Sequence, residues 1–286
     1  MPHLTEQLKW ERKKKTDNMR FTKRIVVKVG TNVMVNRDNR IVGPILKRLV
    51  DQIARLYEED IITVLISSGS VIAGKEIIDS EDIDIEDETI RRQVYSAVGQ
   101  PRLMRHYYSI FHDYGMRCAQ VLATKRDFAT GKHRENMINC YEGLLSQGIT
   151  PIANEDDAVS LSMSMFTDND ELASLVAELI QADMLILLTD TDGLYDGNPD
   201  DDDSRLIRSV STDQKVEQFI QASEKKEGEG RGGMGSKLSI AKKTAAKNIP
   251  TYIANGKREN CIIDIVHGKE VGTRFYNKET ESLDKK

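Results

Sequence analysis

RIVVKVG (residues 24–30), GPILKRLVDQIARLYEED (43–60) and IITVLISSG (61–69) decide the fold. The first and third are short, rich in β-branched residues and closed by glycine, the pattern of buried strands. Between them Ile45, Leu46, Leu49, Val50, Ile53 and Leu56 recur at helical spacing, which predicts an amphipathic helix. Strand, helix, strand is a βαβ unit, and it implies a parallel sheet with a right-handed crossover.

The alternation continues along the chain. The acidic stretch DSEDIDIEDET (79–89) predicts a surface loop, followed by a helix over about 90–113 and the strand RCAQVLA (117–123). A helix at 133–147 leads to the strand ITPIAN (149–154), and one at 171–181 leads to DMLILLTD (183–190), the most apolar strand. Then come a helix near 212–222, a glycine-rich loop at 223–236, a helix at 237–247, the strand IPTYIAN (249–255) and a short element within 262–275. No repeat of fixed period and no Pro- or Ser-rich linker interrupts the pattern. The expected fold is α/β: a three-layer α/β/α sandwich with an open, mainly parallel sheet. Ligands of such sheets sit beyond the carboxyl ends of the strands.

With 286 residues the chain can bury a substantial core, and 39% apolar with 30% charged residues is a soluble composition. A formal net charge of −5 does not suit a sequence-independent nucleic-acid binder. Cys118, Cys140 and Cys261 form no C-x-x-C pair, so a disulfide framework is not expected; they read as small buried hydrophobes in a reducing compartment. No histidine stands in H-x-x-x-H, so no zinc site is expected. The first twenty residues carry no apolar run of the roughly 7–15 residues a signal peptide needs, and no run nears the ~18 of a membrane span. They read as a polar extension, with Arg12 to Lys15 in a solvated tail, and the protein as cytoplasmic.

The unusual residues fall at strand ends. Lys28 lies inside an apolar strand, where an ammonium needs a partner or a site; an outward-facing lysine on an edge strand is the alternative. The second strand ends SSGS (67–70), a phosphate-friendly turn or a common Ser-Gly turn. Asn154, Glu155, Asp156 and Asp157 crowd another strand end, and they repel one another unless a cation joins them or solvent screens them. Thr189, Asp190 and Asp192 follow the apolar strand, in a site or a plain β-turn. The loop EGEGRGGMGSK (227–237) brings five glycines before Lys237 and a helix. Glycine admits close backbone approach to phosphate oxygens; a flexible linker is the alternative. Walker A order is absent, because Ser236 precedes Lys237. In TDNDELAS (167–174), Asp168 and Glu171 have the spacing of a capping box. Asparagine caps helices about as well as aspartate, so Asp170→Asn is expected to spare the fold. Two lysines, a glycine-rich loop and strand-end carboxylates together suit phosphoryl transfer.

The ordered set VVKVGTNV, ISSGSVIAGKE, AVGQPRLM, PIANEDDAV, TDNDELAS, LLTDTDGLYDGNP and GRGGMGSKL resembles the glutamate 5-kinase family of the amino-acid kinase superfamily, over about residues 22–275. The resemblance implies the amino-acid kinase fold in a single domain over 21–280. About 21–180 would form the glutamate-binding lobe and about 181–280 the nucleotide-binding lobe. It implies ATP-dependent phosphorylation of the glutamate side-chain carboxylate, with Mg2+ accompanying ATP as co-substrate, as the first step of proline biosynthesis. Lys28 and Lys237 would contact the ATP phosphates and Asp170 would position them as the third member of the catalytic set. Ser68, Asn154, Asp157 and Asn169 would bind glutamate, with Asp157 taking its α-ammonium. Thr189 and Asp190 would contact the nucleotide, and Arg231, Gly232, Gly233, Met234, Gly235, Ser236 and Lys237 would cover its phosphates. Proline inhibition and a homo-oligomer are also implied. The family's NEND reads NEDD here, placing Asp156 where asparagine is usual, and Met165, Phe166 and Thr167 stand where a glycine usually precedes DND. Many members carry a C-terminal PUA domain, for which a chain ending at Lys286 leaves no room.

Overall fold

β1 (Lys23–Val29) lies in the middle of one eight-stranded sheet of order β3-β4-β2-β1-β5-β7-β8-β6. The computed structural model describes residues 21–78, 83–159, 166, 168–199, 201, 203–215 and 233–281. The N-terminal extension and most of the glycine-rich loop lie outside them. The other strands are β2 (Ile61–Ser67), β3 (Arg117–Ala123), β4 (Ile149–Glu155), β5 (Met184–Thr189), β6 (Ser209–Ser211), β7 (Thr251–Asn255) and β8 (Thr273–Tyr276). β1 pairs in parallel with β2 and β5 on its two sides, and β2 with β4, β4 with β3 and β5 with β7 are also parallel. β8 runs antiparallel to β7 and carries β6 parallel to itself at the edge.

The first crossover is α2 (Gly43–Glu58), entered through Pro44 in its first turn. Proline suits that position because its missing N–H would have no helical partner there. It follows the single turn α1 (Thr31–Met34). After β2 come α3 (Ser70–Lys75) and the long α4 (Glu88–Asp113), which Asp87 caps by accepting from the Thr89 and Ile90 amides. A 3₁₀ turn (Lys125–Phe128) and α5 (Lys132–Ser146) lead to β4. α6 (Asn169–Leu179) leads to β5, α7 (Met234–Ala245) to β7, and α8 (Cys261–Val266) to β8, before the last turn α9 (Lys278–Glu281).

Two buried cores flank the sheet, giving the three expected layers. Ile25, Val27 and Val29 of β1 face α2, α4 and α8 across one core. Val26 faces α5, α6 and α7 across the other. Side chains alternate along a strand, so Lys28 points to the same side as Val26, towards α6 and α7. β2 is buried along its whole length, as a central parallel strand must be.

Several boundaries differ from the sequence reading. α6 and α7 start two and three residues early, at Asn169 and Met234. Residues 212–215 make a turn after the short strand β6, not a helix, and 216–222 lie outside the described residues. The element expected within 262–275 is a helix and a strand, α8 and β8. Lys28 is on a central strand, which removes the edge-strand alternative. Cys118 and Cys261 are buried, and burial pushes each thiol up to about 12, but Cys140 is exposed on α5 and is no core residue.

Candidate active site

Strand order reverses at β1: β2 lies on one side, and β5, next used in the middle of the sheet, on the other. A cleft of about 340 Å³ opens there, at the carboxyl ends of the strands. The segments after β1, β2, β4 and β5 line it, together with the starts of α6 and α7.

One wall is a charge triad. Lys28 Nζ lies 2.6 Å from Asp170 Oδ1, and Lys237 Nζ donates to Asp170 Oδ2 at 3.0 Å. Asp170 is fully buried, while Lys28 and Lys237 remain 4% and 7% exposed and line the cleft. The carboxylate therefore holds the ammonium groups from behind, and the lysines face the ligand space. Burial alone would raise the Asp170 pKa; the two lysine charges outweigh it and hold the carboxyl below the usual carboxylate range. Burial, with the charge of Lys237, pushes Lys28 below the ordinary lysine value despite Asp170.

TDND does three separate jobs. Asp168 is the N-cap of α6, its Oδ1 accepting from the Asp170 and Glu171 amides at 2.9 and 3.0 Å. Its Oδ2 accepts from Ser236 Oγ at 2.5 Å, which ties the first turn of α7 to the start of α6. Glu171 pairs with Lys125 at 2.6 Å. Asn169 turns to the acceptor wall, and Asp170 turns inwards to the lysines. Phe166, in place of the usual glycine region, is a buried anchor that packs edge-on against Phe128 and donates its N–H to Glu155 Oε1. Met165 and Thr167 lie outside the described residues.

The acceptor wall is a line of polar side chains. Asn169 Nδ2 donates to Ser68 Oγ at 2.8 Å and to Asn154 Oδ1 at 2.9 Å. Asn154 Nδ2 donates to Gln100 Oε1 at 3.0 Å and Ser70 Oγ at 3.3 Å. Asp157 Oδ2 accepts from Ser96 Oγ at 3.1 Å, and its Oδ1 accepts from Arg92 Nε and Nη2 at 3.2 and 3.0 Å. Asn169 Oδ1 is buried and has no hydrogen-bond partner among the described residues.

All four residues expected to hold the acceptor, Ser68, Asn154, Asp157 and Asn169, line this one cleft. Thr189 and Asp190 line it on the β5 side, where the Thr189 hydroxyl donates to Asp190 at 3.2 Å. Gly233 and Met234 line it too. Gly235 and Ser236 belong to the first turn of α7 and are not among the lining residues, and Arg231 and Gly232 lie outside the described residues. Asp156 does not line the cleft; its N–H bonds the Ala123 carbonyl.

The profile of the amino acid kinase family matches residues 23–255. Among similar curated proteins, the glutamate 5-kinase of Bacteroides thetaiotaomicron is 43% identical over 88% of this chain and 69% of its own length. That of Clostridium acetobutylicum is 36% identical over 89% of this chain and 95% of its own. The chain belongs to the amino acid kinase family, in its glutamate 5-kinase branch. A solved carbamate kinase from Giardia lamblia superposes with a TM-score of 0.64 at 18% identity, over 90% of this chain and 99% of its own. At that identity it shows that the amino acid kinase fold is shared.

The sequence reading of this amino acid kinase missed Arg92, Ser96 and Gln100. They stand at i, i+4 and i+8, one face of α4. Polar groups recurring on the face that also buries Leu103 and Tyr107 were the available signal. Gly99 of AVGQ has a packing reason. A Cβ there would sit 1.8 Å from the Ser70 carbonyl oxygen and 2.2 Å from the Gly74 nitrogen, so only glycine lets α4 touch α3.

Proposed function

We propose that this chain transfers the γ-phosphoryl group of MgATP to the side-chain carboxylate of L-glutamate, giving L-glutamyl 5-phosphate, as a cytoplasmic enzyme at the first step of proline biosynthesis. The observation that carries the reading is the pair of buried lysines on one carboxylate, set beside a polar acceptor wall in one cleft. The acceptor carboxylate, with an ordinary pKa near ~4.3, is already ionised at neutral pH and needs no general base. The difficulty is to bring two anions together, and positioned cations meet it.

In this reading Lys28 and Lys237 neutralise the transferring phosphoryl group, and Asp170 is the positioning residue that sets their spacing. Ser68, Asn154, Asn169 and Asp157 hold glutamate, and Thr189 and Asp190 hold the nucleotide. Gly233 and Met234 bring the start of α7 to the phosphates, with Arg231 and Gly232 just before it. Magnesium enters as part of MgATP; among the described residues no three His, Cys, Asp or Glu side chains converge to hold a resident ion. The β4–β2–β1 half of the cleft is the glutamate lobe and the β5–β7 half the nucleotide lobe. No described helix is long and apolar enough to cross a membrane. Proline inhibition and a homo-oligomer belong to the same reading, open to kinetics with added proline and to sedimentation.

The test is to trap the acyl phosphate with hydroxylamine in the presence of ATP and each of L-glutamate, N-acetylglutamate, aspartate and uridylate. A hydroxamate formed with glutamate supports the reading. Turnover only with another acceptor moves the chain to a different kinase, and ATP binding without turnover makes it a sensor.

A further inference from the structure

Arg92 is the one cleft-lining cation outside the lysine triad among the described residues, and nothing in the phosphoryl chemistry uses it. It reaches the acceptor wall from near the N-terminal end of α4 and spends Nε and Nη2 on the same oxygen, Asp157 Oδ1. Its Nη1 makes no hydrogen bond with the described residues, and its side chain is 36% exposed while that of Asp157 is 5% exposed. The guanidinium therefore lies on the open side of the pair, with one edge bonded to no group of the described residues.

The two ends of the acceptor wall differ in charge. Lys28, Lys237 and Asp170 sum to one positive charge, which suits a carboxylate meeting a phosphate. Arg92 and Asp157 sum to zero but are strongly polarised. A neutral, polarised pair matches a neutral, polarised group, and the α-carbon end of a free amino acid is such a group: an ammonium and a carboxylate on one carbon. A phosphate, an acylated amine or a plain carboxylic acid has no matching pair of charges. The wall joins the two ends continuously, since Asn154 bonds both Ser70 and Asn169, and Asn169 precedes Asp170.

We propose that Arg92 is a specificity-determining residue, which binds the α-carboxylate of the acceptor through its unpaired edge while Asp157 takes the α-ammonium. This rests on the acceptor being an α-amino acid, the reading given above. Arginine suits the task because its planar fork can serve two carboxylates at once, one on each edge. Arg92 also holds the Asp157 carboxylate in place through its two hydrogen bonds to Oδ1.

The experiment compares glutamate with its α-amide, isoglutamine, which keeps the ammonium and the side-chain carboxylate but loses the α-carboxylate charge. Binding of each is measured by competition with glutamate turnover, or by calorimetry. The wild-type enzyme is expected to prefer glutamate by about tenfold or more, the worth of one charge-assisted pair. In Arg92→Gln glutamate affinity should fall by about that factor, KM for ATP should stay within twofold, and the preference over isoglutamine should shrink towards one. Arg92→Lys should restore part of it. An undiminished preference for glutamate over isoglutamine in Arg92→Gln overturns the proposal and leaves Arg92 acting only through Asp157. An unchanged glutamate affinity overturns it as well. Failure of the kinase reading is separately visible, because the wild-type chain would then form no hydroxamate from glutamate.

Discussion

Asp170 shows how far one residue's role depends on what surrounds it. Helix capping makes Asp170→Asn look harmless, but the cap is Asp168. Asp170 is instead the carboxylate that bridges two buried lysines, so asparagine removes the negative charge between them. Removing one partner of a buried ion pair costs about 3–5 kcal/mol. Asp170→Asn is therefore expected to lower stability in denaturant unfolding by an amount in that range and to reduce kcat by tenfold or more per folded molecule. A stable, fully active variant would remove Asp170 from the positioning role. Lys237→Ala leaves Lys28 on Asp170, so it should fold and lose kcat by about 10²-fold, as for one transition-state charge contact. A normal kcat would exclude Lys237 from the mechanism. The pH dependence has two signs. Asp170 has a folded pKa below its unfolded value of about 3.9, so its stabilisation is fully present above that value and is lost as pH falls through the lower folded pKa. Lys28 is also depressed, so the unfolded chain holds its proton more tightly and stability rises with pH across that window. The proposed role of Lys28 needs its proton, so kcat/KM for ATP should fall on an alkaline limb below the ordinary lysine value of about 10.4. Lys28→Arg should move that limb upward or abolish it, and an unmoved limb would assign it to another group.

At the scale of elements, the site is built from contacts between helix starts and strand ends. Ser236 bonds the cap of α6, which fixes the first turn of α7 and hence where Lys237 emerges. The crossing of α3 and α4 does the same for the acceptor wall. Gly99 and Gly74 let the two helices touch, so Ser70 meets Ser96 and both reach Asp157. Gly99→Ala must push them apart. Overpacking of this kind costs roughly 1–3 kcal/mol or more, and it should raise KM for glutamate while sparing KM for ATP, measured alongside thermal unfolding. Equal loss of both would mean that α4 supports the whole cleft rather than one half. Asp156 tests the reverse. It replaces the usual asparagine but does not line the cleft, so Asp156→Asn should change glutamate KM much less than Asp157→Asn. A large effect would place the Asp156 carboxylate within reach of the substrate.

At the scale of the whole molecule, the two proposed lobes share one sheet, and each core runs beneath strands of both. Residues such as Ile25, Leu65, Leu188 and Ala254 sit in one cluster although they come from both halves. Neither lobe has a core of its own, so unfolding should be a single cooperative transition with equal calorimetric and van't Hoff enthalpies. Two resolved transitions would separate the lobes. The functional division should still appear in kinetics: Ser68→Ala should raise KM for glutamate, and Asp190→Ala should raise KM for ATP.

The layer order, the parallel sheet and most strand bounds were legible in the chain because they follow from short-range alternation, which burial on both faces of a sheet enforces. Lys28 and Lys237 were legible as unusual, since a lysine in an apolar strand and one after a run of glycines both break local pattern. Their meeting on Asp170 was not readable from spacing alone. It depends on β1 turning its even-numbered side chains towards α6 and on Ser236 locking α7 to the cap of α6, contacts between residues far apart in sequence. Arg92 was hard to single out for the same reason: the polar spacing of α4 marks a face but no role, and Asp157, 65 residues further on after β4, meets it only in the folded chain. Local pattern determines the elements because it acts within a few residues. The site was decided by tertiary structure, because a charge takes its role from the groups that packing sets within a few ångströms of it.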